Sequence, residues 1–118
     1  MGGPRFDLRI DDEILAEDLG HATEAARSAI ERTIEDLSAD GVPVGALRPC
    51  DAEARDGTRL GGCAKLYIPQ PDGRWGAVFT IDMAASRPAL LLLAVGERHP
   101  SRPWKLSVYE IGHRRLHR

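Results

Sequence analysis

The chain has 118 residues, a length that fits one domain with a core of modest size. It contains no apolar run long enough to span a bilayer and nothing that resembles a signal peptide, so we expect a cytoplasmic protein without a membrane partner. Its two cysteines, Cys50 and Cys63, lack the C-x-x-C spacing of a metal site. We therefore expect inert, reduced thiols, no metal and no cofactor.

The formal net charge of −2 hides an uneven distribution along the chain. Residues 1 to 59 carry seven Lys/Arg and fourteen Asp/Glu, a net charge of −7, while residues 60 to 118 carry nine and four, a net charge of +5. The second half also contains three of the four histidines. This asymmetry indicates a surface that faces a polyanion; the alternative is charge that is simply solvated on two faces.

The first half predicts one strand followed by two helices. Arg5 to Ile10 alternates apolar and polar residues, which is the period of a half-buried strand. Asp11 or Asp12 caps a first helix, and a second helix extends from about Thr23 to Ala39, where alanine, isoleucine and leucine repeat every three or four residues. The segment from Val42 to Gly62 is then a long connection without a clear pattern.

The second half predicts three strands in a meander and a short helix. Alternation begins at Cys63, the turn Pro69 to Gly73 contains the D-G signal of a hairpin, and a second strand covers Arg74 to Asp82. Ala89 to Gly96 is apolar throughout, as in a central strand. The fold is therefore α+β, with an N-terminal strand and helical hairpin packed on one face of an antiparallel β-meander and a short C-terminal helix.

Cationic and aromatic residues converge at the end of the last strand. A basic turn with Arg98 and His99 follows that strand, and a capping box that begins at Ser107 starts the final helix, with Tyr109 in its first turn. Unpaired backbone donors and a positive helix dipole meet at such a point and favour a phosphate group. We interpret this edge as the active site.

The order of these elements resembles that of the RelE/ParE superfamily, the toxin halves of type II toxin–antitoxin pairs. Two of the shared motifs are specific to the RelE branch: the A-V-G-x-R type strand end and a helix with V-Y-E and R-R-L. The resemblance implies a small RNase that cuts messenger RNA on the ribosome without a metal, by attack of the ribose 2′-hydroxyl on the adjacent phosphate, and that a cognate antitoxin neutralises. The motifs that carry the resemblance are Arg59–Gly62, Asp72–Trp75, Leu91–Arg98 and Val108–Leu116.

The resemblance also implies roles for three residues. Lys65 falls at a family position for a basic residue on the second strand of the sheet, and Arg98 matches the arginine after the last strand. Both would stabilise the phosphate. Tyr109 matches the tyrosine that packs against the substrate base, where it would stack or exchange a proton.

Two positions depart from the family pattern. A second basic residue expected on the strand of Lys65 is Tyr67, which we assign to substrate binding, and an arginine expected on the next strand is Gly76. Residues two apart on a strand share a face, so we expect Arg74 to reach over Gly76 and supply the missing cation.

Further candidates follow from residue type and position. His99 and His113 are possible general bases, and His113 lies one helical turn after Tyr109; which group is the base stays open. We assign His99 to the substrate as well, and we expect Arg114 and Arg115 to contact phosphates. Trp104, in a longer turn than the family has, is either a core anchor, which we favour, or a stacking platform.

Two other functions compete with the ribosome-dependent nuclease. A ParE-like toxin would inhibit DNA gyrase by binding alone, and a protein that keeps the fold without activity would act through interactions. The intact Arg98 and Tyr109 favour the nuclease, whereas Tyr67 and Gly76 favour the alternatives. The sequence leaves the oligomeric state open.

Overall fold

The computed structural model describes residues 5–49, 63–82 and 89–116, which form a sheet between two layers of helix. In this part of the chain, none of the helices combines the length and the apolar character needed to cross a membrane. The strands are β1 Arg5–Arg9, β2 Val42–Pro43, β3 Arg48–Pro49, β4 Cys63–Ile68, β5 Trp75–Asp82 and β6 Ala89–Glu97, and the helices are α1 Asp12–Leu19, α2 Glu24–Asp40 and α3 Val108–Leu116.

The six strands follow the order β2-β1-β6-β5-β4-β3. The predicted meander is confirmed, because β5 pairs antiparallel with both β4 and β6. The first strand is added to it in parallel, with Leu8 opposite Leu90 of β6. The connection predicted to lack a pattern contributes β2 and β3, two strands of two residues that pair with β1 and β4 at opposite edges of the sheet.

The signals that start and end these elements act as predicted. Asp11 caps α1, since its carboxylate accepts two backbone N–H groups, and the hydroxyl of Thr23 caps α2. At the end of α2, Gly41 has a φ of 80°, a conformation that favours glycine. Ser107 begins α3, because its Oγ accepts the backbone N–H of Glu110 at 3.2 Å.

The helices lie on both faces of the sheet: the predicted helical hairpin of α1 and α2 packs on one face, and the predicted C-terminal helix α3 packs on the other. One core joins α1 and α2 to a face of the sheet that includes Phe79 and Leu90. A smaller core joins α3 to the opposite face around Val78 and Ala94. Gly112 lets α3 approach closely, since a Cβ at this position would lie 3.1 Å from Val78 Cγ1. Strand β5 therefore buries apolar side chains on both of its faces.

A buried ion pair joins the two helix layers. Asp18 of α1 and Arg115 of α3, whose side chains are only 3% and 6% exposed, form two hydrogen bonds of 2.7 and 2.8 Å. Both also bind the backbone of β6, because Asp18 accepts the N–H of Val95 and Arg115 donates to the carbonyl of Leu93, each at 2.8 Å. The hydrogen bond with Asp18 raises the pKa of Arg115 further above its already high value. This pair holds α3 at a fixed position on the sheet.

Candidate functional site

The register of the meander creates a gap between side chains on the face that carries α3. Tyr67 of β4 lies directly opposite Gly76 of β5, and Gly76 lies opposite Gly96 of β6. A large aromatic ring therefore stands beside two positions without side chains. Arg98 comes two residues after Gly96 and starts on the same face.

The side chain of Arg98 fills this gap. It crosses Gly76, and its Cζ lies 3.9 Å from the centroid of the Tyr67 ring, a cation–π contact. Its Nη1 donates to the carbonyl oxygen of Gly73 at 3.3 Å. A Cβ on residue 76 would lie 3.0 Å from Arg98 Cγ and 3.4 Å from Cδ, so the arginine occupies the space that a larger residue would take. Gly76 and Tyr67 together determine where this guanidinium lies.

The guanidinium of Arg98 has donors left for a ligand. A guanidinium carries five N–H donors, and the bond to Gly73 uses one of them. Its Nε has no acceptor among the described residues but is sealed from solvent, so a ligand would bind through the Nη groups. A charged donor group that the protein itself satisfies only in part is suited to a phosphate, which accepts hydrogen bonds from several N–H groups.

Three more predicted residues extend this group toward α3. The Nζ of Lys65 lies 5.6 Å from the ring centroid of Tyr67 and 5.4 Å from that of Tyr109. The ring of His99 then lies 6.3 Å from that of Tyr109, at an angle of 52°. We call these five residues the cation–aromatic cluster: Lys65, Tyr67, Arg98, His99 and Tyr109. Sequence reasoning named all five, and the structure connects them into one continuous row of contacts.

The cation–aromatic cluster combines the two properties that binding of single-stranded RNA requires. Lys65 and Arg98 supply two positive charges for a phosphate, and two tyrosine rings supply faces for bases. Tyr67 is 47% exposed, so its ring also offers surface to a ligand. His99 is exposed as well. In the described part of the chain, no three His, Cys, Asp or Glu side chains come together as metal ligands would.

Arg74 does not supply the cation that we expected at Gly76. Its side chain is 75% exposed, its Nε lies 3.9 Å from Asp72 Oδ2, and it lines a separate cavity with Trp75. The space over Gly76 is filled by Arg98 instead. The prediction was wrong because it followed one strand, whereas the covering side chain comes from the neighbouring strand. Arg98 follows β6, so the D-G turn, which joins β4 to β5, gives no signal of its position.

The arginines near the end of α3 also lie apart from the cluster. Arg115 was expected to contact phosphate, but its guanidinium is buried against Asp18 and is not available for this role. Arg114 is exposed and lines a cavity on the α1 side, together with Glu17. His113 is half-buried one helical turn after Tyr109, and its role as a base stays a prediction.

The structure also corrects the prediction for Trp104. Its side chain is 76% exposed, so the favoured interpretation as a core anchor is wrong. The guanidinium of Arg102, a residue that sequence reasoning did not single out, lies 6.0 Å from the Trp104 ring centroid. Both residues belong to the loop between β6 and α3, which also contains His99.

The fold and the cluster together define a small α+β domain with a cationic, aromatic edge, and its fold is similar to that of two solved structures. The toxin–antitoxin complex RelBE2 from Mycobacterium tuberculosis superposes with a TM-score of 0.51 at 20% identity, covering 80% of this chain and all of the matched chain. A mutant of the Escherichia coli toxin RelE in the free state gives a TM-score of 0.51 at 14% identity, covering 96% of this chain and 99% of the toxin. No family model matches the sequence, and no curated protein matches it significantly.

The chain therefore has a RelE-like fold, as the resemblance in its sequence predicted. At these identities the likeness defines the fold and leaves the activity to be argued from the site itself.

Proposed function

We propose that this protein is a RelE-like toxin that cleaves messenger RNA on the ribosome and is neutralised by a cognate antitoxin. One observation carries the proposal: Arg98 is held across Gly76 on the ring of Tyr67, next to Lys65 and Tyr109. This arrangement places two cations and two aromatic rings on one exposed edge, and the architecture is that of known toxins. Such a toxin would act in the cytoplasm, where its substrate is translated.

The chemistry that fits this edge is attack of a ribose 2′-hydroxyl on the adjacent phosphorus. The new bond forms a cyclic phosphate, the 5′-oxygen of the next nucleotide leaves, and one proton is removed while another is donated. Lys65 and Arg98 would stabilise the negative charge that grows on the phosphate, and loss of one such donor costs a factor of about 100 to 1,000 in rate. Tyr109 would stack on a base or exchange a proton, and His99 beside it is a candidate base.

The first test compares Arg98→Ala with Arg32→Ala. Arg32 is an exposed arginine of α2, so the control removes the same charge outside the cation–aromatic cluster. We expect expression of the parent to slow growth, and we expect the parent protein to cut messenger RNA in translating extracts. Arg98→Ala should lower this cleavage by a factor of at least about 100. Arg32→Ala should act like the parent. Equal toxicity of the parent and Arg98→Ala would count against a nuclease.

The same cultures separate the competing functions. A nuclease should stop protein synthesis before DNA synthesis, whereas a gyrase inhibitor should stop DNA synthesis first. A protein that keeps the fold only for interactions should affect neither process. The contact between Arg98 and Tyr67 also fits a protein that keeps the fold without activity. Incorporation of labelled amino acids and of labelled thymidine should therefore both be measured after induction.

The antitoxin should cover the cation–aromatic cluster. A cationic surface is most simply silenced by an acidic segment that folds on binding, and a solved neighbour is a complex of toxin with antitoxin. We expect hydrogen exchange in the complex to slow at β6 and at the start of α3. Protection confined to α1 and α2 would show that the antitoxin binds the other face.

A further inference from the structure

In addition to the cation–aromatic cluster, the structure has a cationic cavity on the other face of the sheet, where β5 starts and β6 ends. It has a volume of about 350 Å³ and is bounded by the residues between α1 and α2, the start of β5 and the loop before α3. It adjoins the cation–aromatic cluster through consecutive residues, because Glu97 lines the cavity and Arg98 belongs to the cluster. The cavity is lined by His21, Thr23, Arg74, Trp75, Glu97, Ser101, Arg102 and Lys105.

The charges around this cavity favour an anion. Glu97 is its acidic residue and forms an ion pair of 2.5 Å with Lys105, which leaves the charges of Arg74 and Arg102. Asp72 lies 3.9 Å from Arg74, but this pair is largely exposed and therefore weak. Thr23, the N-cap of the 17-residue helix α2, adds the positive end of a helix dipole.

A buried indole forms part of the cavity wall. Trp75 is 94% buried, lines the cavity, and its indole N–H has no acceptor among the described residues. An indole N–H can only donate, and a buried donor without a partner costs free energy. Because the Trp75 nitrogen is sealed from solvent, a ligand in the cavity contacts the indole ring and not its N–H.

An exposed aromatic ring stands beside the cavity. Arg102 lines the cavity and also contacts the ring of Trp104, which is 76% exposed. Bases of single-stranded nucleic acid stack on such rings while neighbouring cations hold the backbone. The combination of a cationic cavity and an exposed ring fits one nucleotide unit better than it fits an inorganic anion.

We propose that this cavity binds a backbone phosphate of single-stranded RNA while a neighbouring base stacks on Trp104. The inference rests on the proposed function in that RNA is the substrate, and it extends the contact surface beyond the cation–aromatic cluster. The two sites lie on either side of the end of the sheet, where the backbone N–H of Arg98 donates to the carbonyl of Arg74 at 2.8 Å. A strand of RNA therefore reaches both sites by rounding this end.

The test measures binding of a short labelled single-stranded RNA by fluorescence anisotropy, without ribosomes. We expect Trp104→Ala to weaken binding about tenfold or more, as for loss of one base-stacking partner, while Trp104→Phe keeps part of the affinity. Arg74→Gln and Arg102→Gln should each lower the slope of log Kd against log salt by about 0.7, the value for one phosphate contact on a single strand. Arg32→Gln on α2 is the control with the same charge change and should leave the slope unchanged.

Three results would overturn the inference: the parent does not bind RNA, the variants bind as the parent does, or oligoglutamate of equal charge binds as tightly as RNA. The last result would assign the cavity to an acidic protein segment instead. Because these variants are at exposed positions, circular dichroism should show an unchanged fold. If the parent binds RNA through Trp104 but does not cleave messenger RNA, the proposed function alone is refuted. If the parent cleaves normally and all variants bind RNA as the parent does, the inference alone is refuted.

Discussion

Replacement of Gly76 by alanine tests whether the position of Arg98 controls activity. The new Cβ would lie 3.0 Å from Arg98 Cγ and 3.4 Å from both Arg98 Cδ and the carbonyl oxygen of Leu66. The carbonyl belongs to the sheet, so the flexible arginine is the group that must move. It then loses its place on Tyr67, where its Cζ now lies 3.9 Å from the ring centroid.

The expected effects on stability nearly cancel. A glycine inside a strand is less stable than alanine by about 0.5 to 1 kcal/mol, and the backbone of Gly76 does not require a positive φ. Loss of an exposed cation–π contact costs about 0.5 to 1 kcal/mol. The free energy of unfolding should therefore change by less than about 0.5 kcal/mol, the remainder of these two terms. Cleavage should fall by about ten- to a hundredfold, because a displacement of about 1 Å at a reacting centre can cost a factor of 100.

The assay measures messenger RNA cleavage in a translating extract, with unfolding in urea measured in parallel. Gly45→Ala is the matched control, since a Cβ at this position meets no atom within 4 Å. Tyr67→Leu should lower cleavage in the same direction, Tyr67→Phe should not, and the double variant Gly76→Ala/Tyr67→Leu should lose little more than the worse single variant. A Gly76→Ala variant that cleaves as fast as the parent, or a double variant with fully additive losses, would refute this reasoning.

Two further predictions concern buried groups. Asp18→Asn should lower the free energy of unfolding by about 3 to 5 kcal/mol, because it leaves the buried Arg115 guanidinium only Glu17, whose exposed carboxylate 3.5 Å away compensates weakly; a change below about 1 kcal/mol in urea unfolding would contradict the buried pair, since that is the size of an exposed one. Burial raises the pKa of the Cys63 thiol above its ordinary 9.0, so the folded chain favours the protonated thiol more than the unfolded chain does. The stability that this preference provides is complete below pH 9, and it is lost as the pH rises through the pKa of the thiol in the folded chain. In a Cys50→Ser variant, alkylation at pH 8 should accordingly be much slower for the folded chain than for the chain in urea, and equal rates would show that the thiol is accessible.

Local signals in the sequence were sufficient for most of the secondary structure. Asp11, Thr23 and Ser107 cap helices through bonds to residues two or three positions away, and Gly41 ends a helix by its own backbone conformation. Alternation likewise defined β4 and β5, and a continuous apolar run defined β6; each of these strands pairs with the strand next to it along the chain. These features depend on neighbouring residues, so the sequence contains the information needed to predict them.

Pairings between distant residues could not be predicted in the same way. The parallel contact between β1 and β6 joins Asp7 to Ala89, and nothing in either segment specifies the other. The ion pair of Asp18 with Arg115 spans 97 positions. Arg115 was therefore predicted to contact phosphate, whereas its side chain is buried against Asp18. Trp104 shows the opposite error, because a large apolar residue was expected inside and is exposed.

The two departures from the family pattern are better understood as one change than as two losses. Tyr67 and Gly76 are direct partners across neighbouring strands, and the guanidinium of Arg98 lies over the glycine and on the ring. A tyrosine without the glycine would leave the arginine no path to the ring, and a glycine without the tyrosine would leave the arginine no surface on which to rest. With both residues present, the guanidinium of Arg98 is held at the point where the family pattern has additional cations around the phosphate. The site then depends on Arg98 and Lys65 for its positive charge, so substitution of either should cost more here than in a site with additional cations.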